Sequence, residues 1–295
     1  MSWRVTLACT RAEAEAIPDS ADLFPAMDSP PVIVADEPDP DKPNDWRLHV
    51  YFDQQPGWDE MKAVEKLAAE SDPVLERLED ADWVTLSQEG LEPIRAGRFF
   101  IHTPMHYNAR PESATCFEID AGLAFGTGQH ATTAGCLAAL DRLERDGRSF
   151  ENVADIGTGT GLLAFAALCL WPKAKAIATD IDPISIDVTR DNAAINAVPL
   201  GMQSGELLLA VADGMDHPMI AARAPYDLLI SNILAGPLIE LAPGFAKATA
   251  PGGTMILAGL LDTQADAVVA AYEAQGCEVV ERGRGEWTVL VLKAA

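Results

Sequence analysis

Basic side chains are scarce in this 295-residue chain: 21 Lys and Arg stand against 45 Asp and Glu, a formal charge of −24. Such a surface repels a polyanion, so nucleic-acid binding through a basic face is not expected. Cysteine is sparse as well. The five thiols, Cys9, Cys116, Cys136, Cys169 and Cys277, are odd in number, widely spaced and without a C-x-x-C pair, which excludes a disulfide framework and points to reduced intracellular thiols. Long apolar runs are missing too. The longest, residues 162–171, is about half of the ~20 residues a bilayer demands, and the opening MSWRV has no apolar signal core. The expectation is a cytoplasmic protein with no membrane span. What is present, 48% hydrophobic and 22% charged residues, is ordinary globular composition, and the length suffices for one large domain or two smaller ones.

The negative charge is denser at the front, where residues 1–95 hold 8 basic and 22 acidic side chains. A cationic partner would be met there first. Periodicity in this part predicts strands at 3–9, 31–35, 46–52 and 83–86 and helices at 11–16 and 58–70, the β-α-β-β-α-β order of a ferredoxin-like α+β unit. The Pro- and Asp-rich stretch 36–45 is a solvated turn between the middle strands. Gly, Pro and charge dominate 88–97, which marks an interdomain linker and gives units 1–88 and 99–295 joined by 89–98. Beyond it, strand-like and helix-like segments alternate from 153 to 275, the pattern of a doubly wound, Rossmann-like parallel α/β sheet; 277–293, broken at Gly283-Arg284-Gly285, would close it as an antiparallel hairpin.

Within this alternation, residues 153–161 (VADIGTGTG) run from an apolar strand into a glycine turn and then a helix. Glycines let a ligand approach backbone, and the helix start offers free N–H groups. A dinucleotide fingerprint needs a third glycine where Leu162 stands, and no Lys-Ser or Lys-Thr follows as in a P-loop. The turn therefore suits a ligand with an amino-acid end and a nucleoside end but no pyrophosphate, the shape of S-adenosylmethionine. Gly157 and Gly159 would lie against it, and Asp155 could meet its ammonium directly or through water. At the end of the next strand, Asp180 can accept both ribose hydroxyls. Asp182 reads as the cap of the following helix.

Two further segments belong with these. The stretch 121–133 (AGLAFGTGQHATT) is too rich in glycine and hydroxyls for a plain loop; Thr133 near its end either hydrogen-bonds the cofactor or caps a helix. Asn232 closes the strand-like run 227–232, and strand carboxyl ends face the crevice of an open parallel sheet. It would stand beside the reactive end of the cofactor, or else satisfy local backbone. The histidines are scattered, and Pro104 between His102 and His106 spoils a helical ligand pair, so no metal site is expected.

The runs AGLAFGTGQHATT, DIGTGTGLLAFAA, DIDPISIDVTRDNAAIN and NILAGPL, in that order, resemble the signature blocks of the PrmA-type methyltransferases, which modify the eleventh protein of the large ribosomal subunit. The resemblance covers nearly all of 88–295. It implies a class I methyltransferase domain with S-adenosylmethionine contacts at Thr133, Gly157, Asp180 and Asn232, and a loop carrying Phe125 and Thr127 that closes over the methionine end. It also implies a small N-terminal domain that docks the basic ribosomal protein before assembly, and methyl transfer to lysine side chains and the N-terminal α-amine. Asn232 would orient the amine, with no dedicated base. Enzymes that methylate glutamine in release factors carry N-P-P-Y where this chain has N-I-L-A. A methyltransferase of another protein or small molecule, and a cofactor-binding module without turnover, are the alternatives.

Overall fold

The computed structural model describes residues 2–10, 13–14, 17, 23–24, 27, 31–36, 46–68, 71–78, 93–119 and 129–295. The chain divides into two compact units, Met1–Glu89 and Gly90–Ala295.

In the first unit, strands β1 (Ser2–Cys9), β2 (Val32–Asp36), β3 (Trp46–Phe52) and β4 (Val74–Leu78) form an antiparallel sheet in the order β2-β3-β1-β4, with helix α1 (Trp58–Glu65) between β3 and β4. Strict alternation sends Leu48, Val50 and Phe52 of β3 and Val5 and Leu7 of β1 to one buried face, where Val64 of α1 joins them. At Thr10 a reciprocal capping box forms: the Thr10 N–H donates to Glu13 Oε2 at 2.8 Å and the Glu13 N–H to Thr10 Oγ1 at 3.3 Å.

The expected helix 58–70 stops at Glu65, and a strand occupies Val74–Leu78, where the periodicity gave none. That strand is an edge: Val74 is 55% exposed and Glu76 pairs with Arg4 at 2.7 Å, so its outward residues carry no clean alternation. The strand expected at 83–86, most of the helix at 11–16 and most of the turn at 36–45 lie outside the described residues.

The second unit opens with a small sheet, β5 (Ile94–Ala96), β6 (Phe99–His102) and β7 (Thr115–Glu118), in the order β5-β6-β7. Residues 94–96, which read as linker, are thus a strand whose Ile94 and Ala96 are buried. Three residues between glycine and charge are too few to show a period.

Helix α2 (Gln129–Arg145) leads into the main sheet. Its strands are β8 (Asn152–Ile156), β9 (Lys175–Asp180), β10 (Leu207–Val211), β11 (Tyr226–Asn232), β12 (Thr249–Leu261), β13 (Glu278–Arg282) and β14 (Trp287–Lys293), in the order β10-β9-β8-β11-β12-β14-β13. The first five in that order are parallel and β14 is antiparallel to both neighbours, as the hairpin reading required. Helices α3 (Leu162–Leu170), α4 (Pro183–Ile195), α5 (Pro218–Arg223), α6 (Ala235–Ala248) and α7 (Asp262–Glu273) connect them.

Each face of the sheet has its own core. Val153, Leu228 and Ile230 pack with α2 and α3 on one side; Ile156, Leu229 and Leu257 pack with α6 and α7 on the other. Helix α3 (LLAFAALCL) is apolar all round because seven of its nine residues are buried. The order of strands reverses between β8 and β11, and a doubly wound sheet opens its ligand crevice at the carboxyl ends of such strands. The N-terminal ends are clamped instead: the Asp227 carboxylate accepts the N–H groups of Glu151 at 2.7 Å and Asn152 at 2.9 Å.

Candidate active site

At the carboxyl end of β8 the chain turns through Gly157, Thr158, Gly159, Thr160 and Gly161 into α3. Gly157 (φ +76°) cannot carry a side chain, since a Cβ would come within 2.3 Å of Ile233 Cγ2. Gly159 (φ +57°) differs, because a Cβ there would meet nothing within 4 Å. One glycine serves packing, and the other opens the backbone to a ligand.

The turn is held from two sides. Thr179 O accepts from the N–H groups of Gly157 at 2.8 Å and Thr158 at 2.9 Å. From α4, the Thr189 hydroxyl donates to Gly159 O at 2.8 Å and Asn192 Nδ2 to Thr160 O at 3.1 Å. Asp180, at the tip of β9, completes the clamp: its Oδ2 accepts from the Gly159 N–H at 2.9 Å and its Oδ1 from the Asp182 N–H at 3.1 Å. Each oxygen keeps a further lone pair for a ligand hydroxyl. Asp182 is the cap of α4, accepting from the Ile184 N–H at 2.9 Å.

Asn232 and Thr133, 99 positions apart, meet at the same edge: Asn232 Nδ2 donates to Thr133 Oγ1 at 3.3 Å. Helix α2 is already under way at Gln129, so Thr133 lies inside its first turns and does not cap it. Ser231, one residue earlier, ties β11 to β8 by donating to Ile156 O at 2.8 Å.

Asp155 sits deeper than its place before the turn suggested. It is 1% exposed, with Oδ2 accepting from the Thr158 hydroxyl at 2.7 Å and the Ala164 N–H at 3.2 Å, and Oδ1 without a partner among the described residues. Burial pushes its carboxyl up to about 7, against the lowering pull of those two bonds and with a smaller upward push from the charge of Asp180. The near-continuous apolar run of β8 held the clue, since Val153, Ala154, Asp155 and Ile156 are all buried in a strand covered on both faces.

Phe125 and Thr127 lie outside the described residues. Two rim residues that the sequence reading passed over are Ile181, 65% exposed directly after Asp180, and Leu234, 72% exposed two positions after Asn232. Apolar side chains held in water beside a polar crevice are suited to covering the flat or aliphatic parts of a ligand. Among the described residues no group of three His, Cys, Asp or Glu side chains could hold a metal ion, and no helix is long and apolar enough to cross a membrane.

A glycine open to the crevice and a carboxylate with spare acceptors on the next strand fit a ligand with an amino-acid end and a ribose. The family model for ribosomal protein L11 methyltransferase (PrmA) matches residues 3–295. A ribosomal protein L11 methyltransferase of Caulobacter sp. (strain K31) is 43% identical over 288 residues, covering 96% of this chain and 94% of that protein. One from Brucella suis is 48% identical over 201 residues, 68% of each. The crystal structure of a ribosomal protein L11 methylase from Lactobacillus delbrueckii subsp. bulgaricus superposes with a TM-score of 0.58 at 25% identity, over 70% of this chain and 99% of that one. With a family match along almost its whole length and the crevice of a class I methyltransferase, the chain belongs to the PrmA family of ribosomal protein L11 methyltransferases.

Proposed function

We propose that this chain transfers methyl groups from S-adenosylmethionine to amines of ribosomal protein L11, on lysine side chains and the N-terminal α-amine. The observation that carries the reading is the Asn232–Thr133 bond at the edge that also holds the open Gly159 turn and Asp180. S-adenosylmethionine supplies an electrophilic methyl on a positively charged sulfur. Asp180 uses its remaining lone pairs for the ribose hydroxyls, and the Gly157–Gly161 turn, braced by Asp155 through Thr158, carries the amino-acid end. The Thr133 hydroxyl, which accepts from Asn232, still has its hydrogen to donate to the cofactor.

Asn232 orients the nucleophile. With Nδ2 engaged by Thr133, its Oδ1 is left to accept a hydrogen from the incoming amine. A lysine has an ordinary pKa of ~10.4, and partial desolvation once the substrate is docked disfavours its ammonium form, so the proton leaves to water and no dedicated base is assigned. Holding the reacting atoms in line supplies up to ~7–11 kcal/mol of the barrier reduction.

The acidic first unit serves as the recognition domain for a basic partner, met in the cytoplasm before the ribosome hides it, and the protein does not bind nucleic acid directly. Incubation with methyl-labelled S-adenosylmethionine and fractionated ribosomal proteins tests the assignment: label is expected on L11, and label on other proteins alone would overturn it.

A further inference from the structure

The group at this rim that the transfer chemistry leaves unexplained is Asp155. Its Oδ2 is bonded to Thr158 and to the Ala164 N–H, while Oδ1 is buried with no partner among the described residues. A buried acceptor without a donor is destabilising, and a buried charge without a counter-charge is more so.

Among the described residues, the elements packed on Asp155 withhold that counter-charge. Strand β9 brings Asp180, of the same sign. Helix α2 brings Cys136, fully buried, whose thiol is pushed far above its usual range by burial and by Asp155. Helix α3 offers one backbone N–H and otherwise apolar side chains, and on β11 the residue in register is Ile230. Among the described residues no Lys, Arg or His forms an ion pair with either Asp155 or Asp180. A carboxyl so placed keeps its proton near neutrality, consistent with a value of about 7.

The turn that Asp155 braces is the one whose Gly159 faces open space. A cation seated on it is the counter-charge the fold omits. Resting on the cofactor reading above, we infer that seating cationic S-adenosylmethionine on the Gly157–Gly161 turn drives the proton of Asp155 into solvent, so that cofactor binding is coupled to proton release. The proton passes from the Asp155 carboxyl to buffer and the carboxylate stays behind. Asp155 is thus a positioning residue that acts through Thr158 and the turn, and by holding its proton it spares the empty site a buried negative charge beside that of Asp180. Affinity then rises with pH through the neutral range, by at most about tenfold per pH unit for one proton.

The test is calorimetric titration of the full chain with S-adenosylmethionine at mildly acidic and mildly alkaline pH, each in two buffers of different ionisation enthalpy, for wild type and Asp155→Asn. The amino group of the ligand titrates in both proteins alike, so their difference is the readout. Close to one proton more is expected to leave the wild type at acidic pH, with no difference at alkaline pH. Binding with identical proton release in the two proteins overturns this inference alone; no binding in either overturns the cofactor reading with it. Should Asp155→Asn not fold, carboxyl-carbon NMR of the wild type decides. An aspartate titrating near neutrality in the empty protein is expected to become ionised throughout that range when S-adenosylmethionine is added, and an unchanged titration contradicts the coupling.

Discussion

Replacing Thr133 by valine keeps the branched shape of the side chain and removes one hydroxyl. Thr133 is 5% exposed and its Oγ1 accepts from Asn232 Nδ2 at 3.3 Å, so the variant leaves that amide without its acceptor and free to turn. A neutral hydrogen bond of this kind contributes about 0.5–1.5 kcal/mol, which corresponds to about a 2- to 12-fold change in rate. Thr133→Val also removes the hydroxyl that donates to the cofactor, so some cofactor affinity is lost with it; the aiming of Asn232 is read separately, as the loss of turnover with L11 that remains at saturating cofactor. Asn232→Ala removes the atom that meets the amine and is expected to cost at least about tenfold in turnover. In the double variant the second substitution should cost less than it does alone, by the same 2- to 12-fold or about 0.5–1.5 kcal/mol of coupling. Thr133→Ser restores the hydroxyl and should recover most of the rate. The assay is steady-state label transfer to L11 at saturating cofactor, with calorimetric cofactor titration and a melting curve for each protein. Strict additivity in the cycle, or a Thr133→Val enzyme with normal turnover and weakened cofactor binding, would refute the claim that Thr133 aims Asn232.

Asp180→Asn removes a charged acceptor from the Gly159 and Asp182 N–H groups and from the ribose; charge-assisted bonds contribute about 1.5–3 kcal/mol each, so calorimetry should show cofactor affinity falling by at least about tenfold. Gly159→Ala forces a Cβ onto φ +57°, a strain of about 1–2 kcal/mol, and should lower the melting temperature by a few degrees while placing a methyl in the crevice; an unchanged melt would contradict the left-handed turn. Arg98→Ala takes one of two guanidinium partners from Asp141, 2% exposed, and is expected to cost about 1–3 kcal/mol in denaturant unfolding, the remaining Arg145 contact at 2.6 Å limiting the damage. For Asp155 the folded carboxyl, at about 7, lies above its unfolded value of 3.8, so the folded state holds a proton that the unfolded state has released, and stability falls as pH rises between the two. The melting temperature of cofactor-free Asp155→Asn should therefore gain on the wild type from mildly acidic to mildly alkaline pH; a constant difference would show that Asp155 is ionised throughout.

The strand, glycine turn and buried helix of 152–170 were legible because an apolar run, three glycines and nine almost wholly apolar residues leave one arrangement open. Asp180 could be placed because one helix and one strand fill the distance from the turn to the next strand tip. The pairing of Thr133 with Asn232 was not legible: each carried a local alternative, and only the packing of α2 on the sheet brings them together. Strand β4 and the small sheet β5-β6-β7 were missed for a different reason, being an exposed edge and strands of three or four residues, too short for a period. The depth of Asp155 was available in the near-continuous apolar run of β8, the mark of a strand covered on both faces, and was overlooked because its position before the turn suggested contact with the ligand.

The crystal structure of the chain bound to S-adenosylhomocysteine is the most direct test. The ribose hydroxyls are expected on Asp180, the amino-acid end over Gly159, and the open side of the sulfur toward Asn232. A nucleoside lodged away from these three residues would contradict the assignment.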